Sequence, residues 1–320
     1  MRPEKIARDV YRVRTLIVNA YLVRDRMSGG WALIDAGMPG HAGAIRRAAA
    51  RLFGSKPPRA ILLTHGHFDH VGSLAALTAT WGVPVFAHAL EMPYLTGRCS
   101  YPPADPSVGG GAMAWMSPLY PRGPFHFEGA VERLPINGVV PGLPKWQWLL
   151  TSGHAPGHVS FFREGDGTVI AGDAVVTTKE ESLVDTLLER RHVWRPPAYF
   201  TPDWTSARRS VETIAALDPE VLATGHGHPL KGLPMRRALR RLAARFDEFV
   251  PKSGRYVPYP AVFDAQGVIR VPRRPASAVT GPKIAAGIGA AAVAAGLIAF
   301  ARPDRLRHGA ERTGATDSIG

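Results

Sequence analysis

The sequence is poor in cysteine, in acidic residues and in long apolar runs, and each shortage excludes something. Among 320 residues there is one cysteine, Cys99, which excludes an intramolecular disulfide framework and a cysteine-rich zinc finger. The basic start of the chain is not followed by the apolar stretch of a secretory signal peptide. We therefore expect no signal peptide and a cytoplasmic location.

The shortage of acidic residues leaves a net positive charge with an uneven distribution. Against 26 acidic residues there are 39 lysines and arginines, which gives a formal net charge of +13. Residues 231–245 contain six basic and no acidic residues, and residues 270–320 contain eight basic residues against three acidic ones. Such charge raises nucleic acid or an anionic membrane as a partner. Because the run at 231–245 is typical of the solvated face of an amphipathic helix, a nucleic-acid partner is not favoured.

Apolar periodicity divides the first part of the chain into alternating strands and helices. Strands are predicted at residues 10–23, 31–34, 60–63 and 83–86, and helices at residues 41–52 and 71–81. Alternation of the two element types predicts an α/β fold built in layers.

The second part of the chain repeats this alternation. Short strands are predicted at residues 131–134, 146–150, 161–162, 169–171 and 221–223, and helices from Thr201-Pro202 and over residues 234–250. Hydroxyl and proline at the start of the first of these helices are typical of a helix N-terminus.

A long loop is predicted between the two parts, at residues 95–124, where proline, glycine and aromatic residues replace any periodicity. We expect this loop to lie on the surface over a site and to supply substrate contacts. Its aromatic residues either line an apolar groove or fix the loop: Trp115, Tyr120, Phe125 and Phe127. Tyr199 and Trp204, further along the chain, are expected to be packing residues.

The strand at residues 60–63 leads directly into four possible metal ligands. Residues 64–70 read T-H-G-H-F-D-H, so three imidazoles and a carboxylate lie within six residues. Both groups bind first-row metals, and the alternating spacing lets one tight loop direct side chains to two neighbouring points. A buried strand end has little structural use for such a cluster, which therefore indicates a dinuclear metal site.

Three further segments also end a predicted strand with a possible ligand. They are H-A-P-G-H at residues 154–158, A-G-D-A around Asp173, and T-G-H-G around His226. The Pro-Gly-His turn favours His158 over His154, and the flanking glycines favour His226 over His228. Together with the first motif, these segments supply enough ligands for two metals.

This set of motifs resembles the metallo-β-lactamase-fold hydrolases, over roughly residues 10–229. The resemblance implies a four-layer αβ/βα sandwich of the metallo-β-lactamase type. It implies that His65, His67 and His158 hold one metal, that Asp69, His70 and His226 hold the other, and that Asp173 bridges the two. Asp35 matches an early aspartate of the family that orients ligands through hydrogen bonds.

The resemblance also implies the chemistry. Two divalent cations, expected to be zinc with iron or manganese as alternatives, lower the pKa of a bridging water enough to give hydroxide near neutral pH. That hydroxide would attack the carbonyl carbon of a small ester, thioester or lactone. Asp69 and Asp173 are the predicted catalytic residues, besides being metal ligands.

Departures from better-known branches of the family narrow the substrate by exclusion. True β-lactamases of this fold lack the bridging aspartate, and quorum-signal lactonases usually carry tyrosine at the position of Val176. Glyoxalase II enzymes have a longer interval before the bridging aspartate. Two other activities of the fold stay open, a persulfide dioxygenase with a single iron and a nuclease or phosphodiesterase.

The C-terminal part of the chain suggests a membrane segment. We expect a catalytic domain at residues 1–250, an extension and linker at 251–280, a transmembrane helix at 281–301 and a disordered basic tail at 302–320. Within the predicted helix, residues 284–300 are seventeen uncharged residues rich in alanine. As a helix they would span roughly 25 Å, slightly less than the hydrocarbon core of about 30 Å. This segment would anchor the cytoplasmic catalytic domain to the inner face of the membrane; a weakly helical alanine-rich tail is the alternative.

Overall fold

The computed structural model describes residues 2–274, and its first sheet keeps seven strands in chain order. Pairing is antiparallel over the first four strands and parallel over the last four, the fourth strand belonging to both sets. The strands are β1 (Glu4–Ala7), β2 (Val10–Thr15), β3 (Val18–Asp25), β4 (Gly30–Ile34), β5 (Ile61–Leu62), β6 (Val85–Ala87) and β7 (Val131–Arg133).

The second sheet is formed by the later part of the chain. Its strands are β8 (Gln147–Leu150), β9 (Val159–Arg163), β10 (Thr168–Ile170), β11 (Val221–Ala223) and β12 (Leu230–Lys231), and a separate hairpin follows as β13 (Val262–Asp264) and β14 (Gly267–Arg270). The order in the sheet is β12-β11-β10-β9-β8. Only β10 and β11 pair in parallel there, and this pair proves important for the site.

The described residues form eight α-helices. They are α1 (Ala42–Phe53), α2 (Phe68–Val71), α3 (Leu74–Trp81), α4 (Met92–Leu95), α5 (Ala112–Met116), α6 (Leu183–Leu188), α7 (Trp204–Ala216) and α8 (Gly232–Ala244). The buried side chains of α1 and α3 pack against the first sheet, and those of α7 and α8 pack against the second.

The period-two alternation of the strands explains the layering. In β3, Leu22 packs toward the helices, whereas Tyr21 and Val23 pack against Phe161 and Ile170 of the second sheet. Each sheet therefore buries one face against helices and the other against the opposite sheet. This arrangement of helices, two facing sheets and helices agrees with the predicted α/β sandwich.

Three local predictions were wrong in their boundaries or character. The helix predicted to start at Thr201 begins after Asp203, because the Asp203 carboxylate accepts a hydrogen bond from the Ser206 amide at 3.0 Å and so caps the helix. The helix predicted at 71–81 is divided at Ser73, whose hydroxyl donates to Met38 O at 2.6 Å. The last helix ends at Ala244, short of residue 250.

The loop at residues 95–124 differs more substantially from the expected surface loop. It contains α5, and the side chains of Tyr101 and Tyr120 are buried within the first core. Aromatic side chains can be removed from water here because their hydroxyl groups find partners, as when Tyr120 donates to Met113 O at 3.1 Å.

Residues 251–274 pack against the domain. Tyr256 is buried in the second core, and its hydroxyl donates to Pro103 O at 2.6 Å. Within residues 2–274, no helix has the length and apolar character needed to cross a membrane. The predicted transmembrane segment at 281–301 and the tail at 302–320 lie outside the described residues.

Helix α8 offers a matched test of this packing. Leu242 is fully buried in the second core, whereas Leu233 on the same helix is 46% exposed. We expect Leu242→Ala to lower the free energy of unfolding by about 2–5 kcal/mol, since it leaves a cavity, and Leu233→Ala to change it by less than about 0.5 kcal/mol. Denaturant unfolding measures both, and equal losses would contradict the assigned orientation of α8.

Candidate metal centre

Parallel strand pairs bring the predicted ligands to one edge of the molecule. Asp35 follows β4 and His65 follows its parallel neighbour β5, while Asp173 follows β10 and His226 follows its parallel neighbour β11. Because parallel strands have their carboxyl ends at the same edge, the residues of each pair lie close together. Contacts between His70 and Asp173 then join the edges of the two sheets.

The first group of possible ligands consists of three buried imidazoles. His67 Nδ1 lies 3.0 Å from His65 Nε2 and 2.9 Å from His154 Nε2. His65 and His67 come from the loop after β5, and His154 comes from the loop before β9. Three ring nitrogens therefore face one point.

The second group lies beside the first and is also buried. Asp69 Oδ2 is 3.3 Å from His226 Nε2 and 3.9 Å from His70 Nε2. Asp69 and His70 belong to the short helix α2, in which the first motif continues. The motif of residues 64–70 thus contributes to both groups, as its alternating spacing predicted.

Asp173 lies between the two groups. Its Oδ2 atom is 3.4 Å from His154 Nε2, 3.4 Å from His70 Nε2 and 3.1 Å from His226 Nε2. Gly225 permits this position, because a Cβ atom there would lie 1.9 Å from Asp173 Oδ1. The close approach explains the glycine before His226.

The structure corrects one residue of the predicted set, because His158 does not face either group. Its Nδ1 atom bonds Thr151 Oγ1 at 2.9 Å, and its Nε2 atom accepts a hydrogen bond from the Asp173 amide at 2.9 Å. Both ring nitrogens are thereby occupied. His154 takes the place predicted for His158, and His158 instead holds the backbone of Asp173. His228 also stays outside the groups and contacts Glu4, as the preference for His226 implied.

Asp35, predicted to orient ligands, lies beside Thr64 and His70. Its two carboxylate oxygens accept hydrogen bonds from the Thr64 amide and the Thr64 hydroxyl, each at 2.8 Å, and Oδ2 also bonds His70 Nδ1 at 2.9 Å. Its φ angle of 59° lies in the left-handed region, which is costly for a residue other than glycine. These three hydrogen bonds offset that cost and orient His70 Nε2 toward Asp173.

A second buried carboxylate, Glu91, was missed by the sequence analysis. Glu91 Oε1 accepts from the Gly157 amide at 2.7 Å, and Oε2 accepts from the Gly66 amide at 2.9 Å and from the Tyr101 hydroxyl. It therefore joins the loop that carries His65 and His67 to the loop that carries His154. Because Glu91 lies 25 residues from Gly66 and 66 residues from Gly157 in the chain, no local sequence pattern indicates its role.

Glu180 was also missed, and it supports the opposite side of the site. Its side chain is fully buried, and Oε1 lies 3.0 Å from His226 Nδ1, which also bonds Ile17 O at 3.0 Å. Two acceptors thus face one ring nitrogen of His226 and leave Nε2 directed toward Asp69 and Asp173.

Hydrogen-bond chemistry shows that the first group suits a cation. The Thr64 hydroxyl donates to Asp35, so it accepts the proton of His65 Nδ1 and leaves a lone pair on His65 Nε2. His67 Nδ1 carries at most one proton and cannot donate to both His65 and His154. At least one of these two close contacts is therefore not an ordinary hydrogen bond, and a cation held by the three ring nitrogens would account for their approach. Two buried atoms of the neighbouring group, His70 Nε2 and Asp173 Oδ1, make no hydrogen bond among the described residues.

The pKa shifts of the buried histidines also favour a bound cation. Burial lowers the pKa of His67 to about 4 and lowers the pKa values of His65 and His154, so these rings are neutral at pH 7. Burial opposes charge on His70 too, but Asp173 and Asp35 raise its pKa to about 10. Neutral donors thus lie beside a place where carboxylates favour positive charge, and a divalent cation supplies such charge.

Aromatic side chains form a wall next to the first group. The Phe200 ring centroid is 4.8 Å from that of His67, and Tyr120 packs against Phe68, Tyr199 and Phe200. Tyr120 therefore belongs to the wall, whereas Phe125 and Phe127 stack on each other and Trp115 is 43% exposed. Trp204 packs near Phe246, as expected, but Tyr199 reaches the wall.

Known proteins resemble this chain in sequence over most of its length. A family model described as the metallo-beta-lactamase superfamily matches residues 13–226. The Bacillus subtilis protein named probable metallo-hydrolase YflN is 44% identical over 241 residues, which cover 75% of this chain and 91% of that protein. YobT, an uncharacterized protein of the same organism, is 32% identical over 232 residues, covering 70% and 90% of the two chains.

Among solved structures, a beta-lactamase domain protein from Burkholderia ambifaria superimposes with a TM-score of 0.53. The alignment covers 77% of this chain and 76% of that chain at 21% identity. At this identity the likeness concerns the fold alone.

The exchange of His154 for His158 can be tested by metal retention. We expect His154→Gln to lower the metal content by about one ion per chain, because a ligand is lost. His158→Gln should keep the full content, since a glutamine oxygen can still accept from the Asp173 amide. Inductively coupled plasma mass spectrometry after dialysis measures both variants. The reverse pattern would restore His158 as the ligand.

Proposed function

Because this chain belongs to the metallo-β-lactamase superfamily, we propose that it is a dinuclear metal-dependent hydrolase of a small ester, thioester or lactone. The family match and a relative named as a metallo-hydrolase support metal-dependent hydrolysis. Two metals and a carbonyl substrate are the finer parts of the proposal.

The shared carboxylate of Asp173 is the observation that carries the proposal. One oxygen of Asp173 lies within 3.4 Å of His154 in the first group and within 3.1 Å of His226 in the second. A carboxylate common to two ligand groups is suited to hold two adjacent cations. A site for one metal would leave the other group of buried ligands unexplained.

The donor atoms suggest zinc. We assign one ion to His65, His67 and His154, a second to Asp69, His70 and His226, and the bridging position to Asp173. Zinc binds imidazole and carboxylate readily, and iron or manganese are the alternatives. When bound, two divalent cations would lower the pKa of water and polarise a substrate carbonyl.

The protein's own groups orient the ligands and accept protons. His65, His67 and His154 present neutral nitrogens, and Asp35 and Glu180 fix the rings of His70 and His226. Asp69 and Asp173 are the carboxylates at the centre, and each can accept the proton that water loses as it attacks a carbonyl. We therefore propose these two as the catalytic residues.

The surroundings of the site favour a small substrate with an apolar part. Phe200 packs against His67, and Tyr120 and Tyr199 pack behind it, so the first ligand group has a buried aromatic neighbour. Such lining suits an acyl group or the hydrocarbon part of a lactone.

Replacement of the shared carboxylate tests the proposal. Asp173→Asn should lower kcat/KM by about 10³-fold or more, since several kcal/mol of transition-state stabilisation depend on the metal pair. Asp264→Asn, at an exposed position in β13, is the control with the same chemical change and should keep full activity. Activity is measured on ester, thioester, lactone and phosphodiester substrates, together with metal content. Hydrolysis retained in Asp173→Asn would refute the proposed centre.

The same measurements separate the alternatives. Two zinc ions per chain with turnover of a carbonyl substrate support the proposal. One iron per chain would instead favour persulfide oxygenation. Cleavage of the phosphodiester alone would favour a nuclease.

We also propose that residues 284–300 associate the protein with a membrane, with the catalytic domain on the cytoplasmic side. The support is the sequence alone, namely an uncharged apolar stretch between Lys283 and Arg302.

Fractionation of cells tests this membrane proposal. The full chain should sediment with membranes and a chain ending at Ser277 should stay in the supernatant, because removal of the stretch removes its apolar surface. Both fractions are assayed for the protein by immunoblot. Equal distribution of the two chains would contradict the proposal.

A further inference from the structure

A cleft of about 780 Å³ lies outside the metal centre, between α8 and the segment at residues 191–194. Four cationic side chains line it: Lys179, Arg191, Lys231 and Arg241. None of its lining residues, all of which belong to the described range, is acidic. Concentrated charge of one sign in a concave surface attracts ligands of the opposite sign.

Within the basic run at residues 231–245, some cationic side chains form ion pairs with acidic residues and others do not. Arg236 bonds Glu220 at 2.6 Å, Arg240 bonds Asp218 at 2.7 Å and Arg245 bonds Glu248 at 2.6 Å. Lys231 and Arg241 face the cleft, and neither forms an ion pair with any residue in the described part of the chain. The cations of this run that lack acidic partners thus include the two that line the cleft.

On the opposite wall of the cleft, an ion-paired arginine again lies next to one that lines the cleft. Arg190 pairs with Asp185 at 3.3 Å, while its neighbour Arg191 lines the cleft. Lys179 Nζ lies 4.8 Å from the ring centroid of Trp194, which lines the same wall. One carboxylate contacts a lining residue, since Glu4 Oε1 lies 3.1 Å from His228 Nε2.

The cleft also has an apolar part. Val193, Met235 and Phe249 line it, and Phe249 packs edge to face against Trp194 with ring centroids 5.1 Å apart. A volume of about 780 Å³ falls within the range of small-molecule sites and exceeds what a bare inorganic anion needs. The combination fits a ligand with both an anionic group and an organic part.

We propose that this cleft binds an organic phosphate. Arginine and lysine together bind phosphate oxygens strongly, and the apolar wall can contact the remainder of the ligand. A long nucleic acid fits less well, because two arginines that would extend the cationic surface along α8, Arg236 and Arg240, are paired with Glu220 and Asp218.

The cleft adjoins the metal centre without sharing its ligands. The His192 amide donates to Thr177 O at 3.0 Å, and the Thr177 amide donates to His226 O at 3.0 Å. Two such backbone spacings place His192, on one wall of the cleft, roughly 10 Å from the backbone of His226. On the other side, His228 lines the cleft and lies two residues from His226 in the chain. Substitutions in the cleft can therefore be made while every proposed metal ligand stays intact.

Charge reversal on α8 provides a matched experiment. Arg241→Glu changes a cation inside the cleft, and Arg237→Glu makes the same change on an exposed arginine of the same helix that does not line it. Binding of adenosine monophosphate to the full-length protein is measured by isothermal titration calorimetry, with uncharged adenosine as the control ligand. We expect Arg241→Glu to weaken binding by about tenfold or more and Arg237→Glu by less than about twofold. Thermal unfolding of both variants verifies the fold.

A second set of measurements distinguishes a free phosphate from a lipid head group. Vesicles of phosphatidylcholine with phosphatidic acid replace adenosine monophosphate in a sedimentation assay. Binding of either phosphate that is lost in Arg241→Glu and kept in Arg237→Glu supports the proposal, and the ligand that binds identifies the source. Absence of binding to both, or equal weakening in the two variants, would overturn it.

Discussion

One carboxylate oxygen of Asp173 lies within 3.4 Å of three imidazoles that come from three separate segments of the chain, and much of the local structure holds these groups together. The parallel pair β10 and β11 brings Asp173 and His226 to the same edge. Gly225 leaves room for the carboxylate, and His158 holds the Asp173 backbone. Burial alone would raise the pKa of Asp173, but His226 and His70 hold it well below its usual range. The ionised carboxylate can therefore unite the two ligand groups.

Outside these ligands, buried carboxylates hold the loops in place. Asp35 fixes the start of the histidine motif through Thr64, and Glu91 joins that motif to the loop of His154 through two backbone amides. Because backbone hydrogen bonds to a buried carboxylate are strong and directional, small displacements of either loop are costly. Glu91 thus connects two loops whose ligands, His65 and His154, are separated by about ninety residues in the sequence.

Most of the site could be predicted because its ligands follow apolar strands in short motifs. The motif at residues 64–70, Asp173 and His226 all meet this description, and parallel pairing gathers them. The exchange of His154 for His158 could not be predicted, since the direction of each ring depends on Thr151 and on the Asp173 amide from other strands. Glu91, Glu180 and Phe200 act across long separations and leave no local pattern. The fold class could be predicted from the alternation of strands and helices. The helix ends could not, because they depend on side-chain caps such as Asp203.

The central claim is that two metals share Asp173, and the most direct test is a crystal structure of the metal-loaded protein with anomalous data at the zinc, iron and manganese edges. The account predicts two anomalous peaks on either side of Asp173. One peak should contact His65, His67 and His154, the other Asp69, His70 and His226, and His158 should remain bonded to Thr151 and the Asp173 amide. A single peak, or a metal bound by His158 in place of His154, would contradict the account.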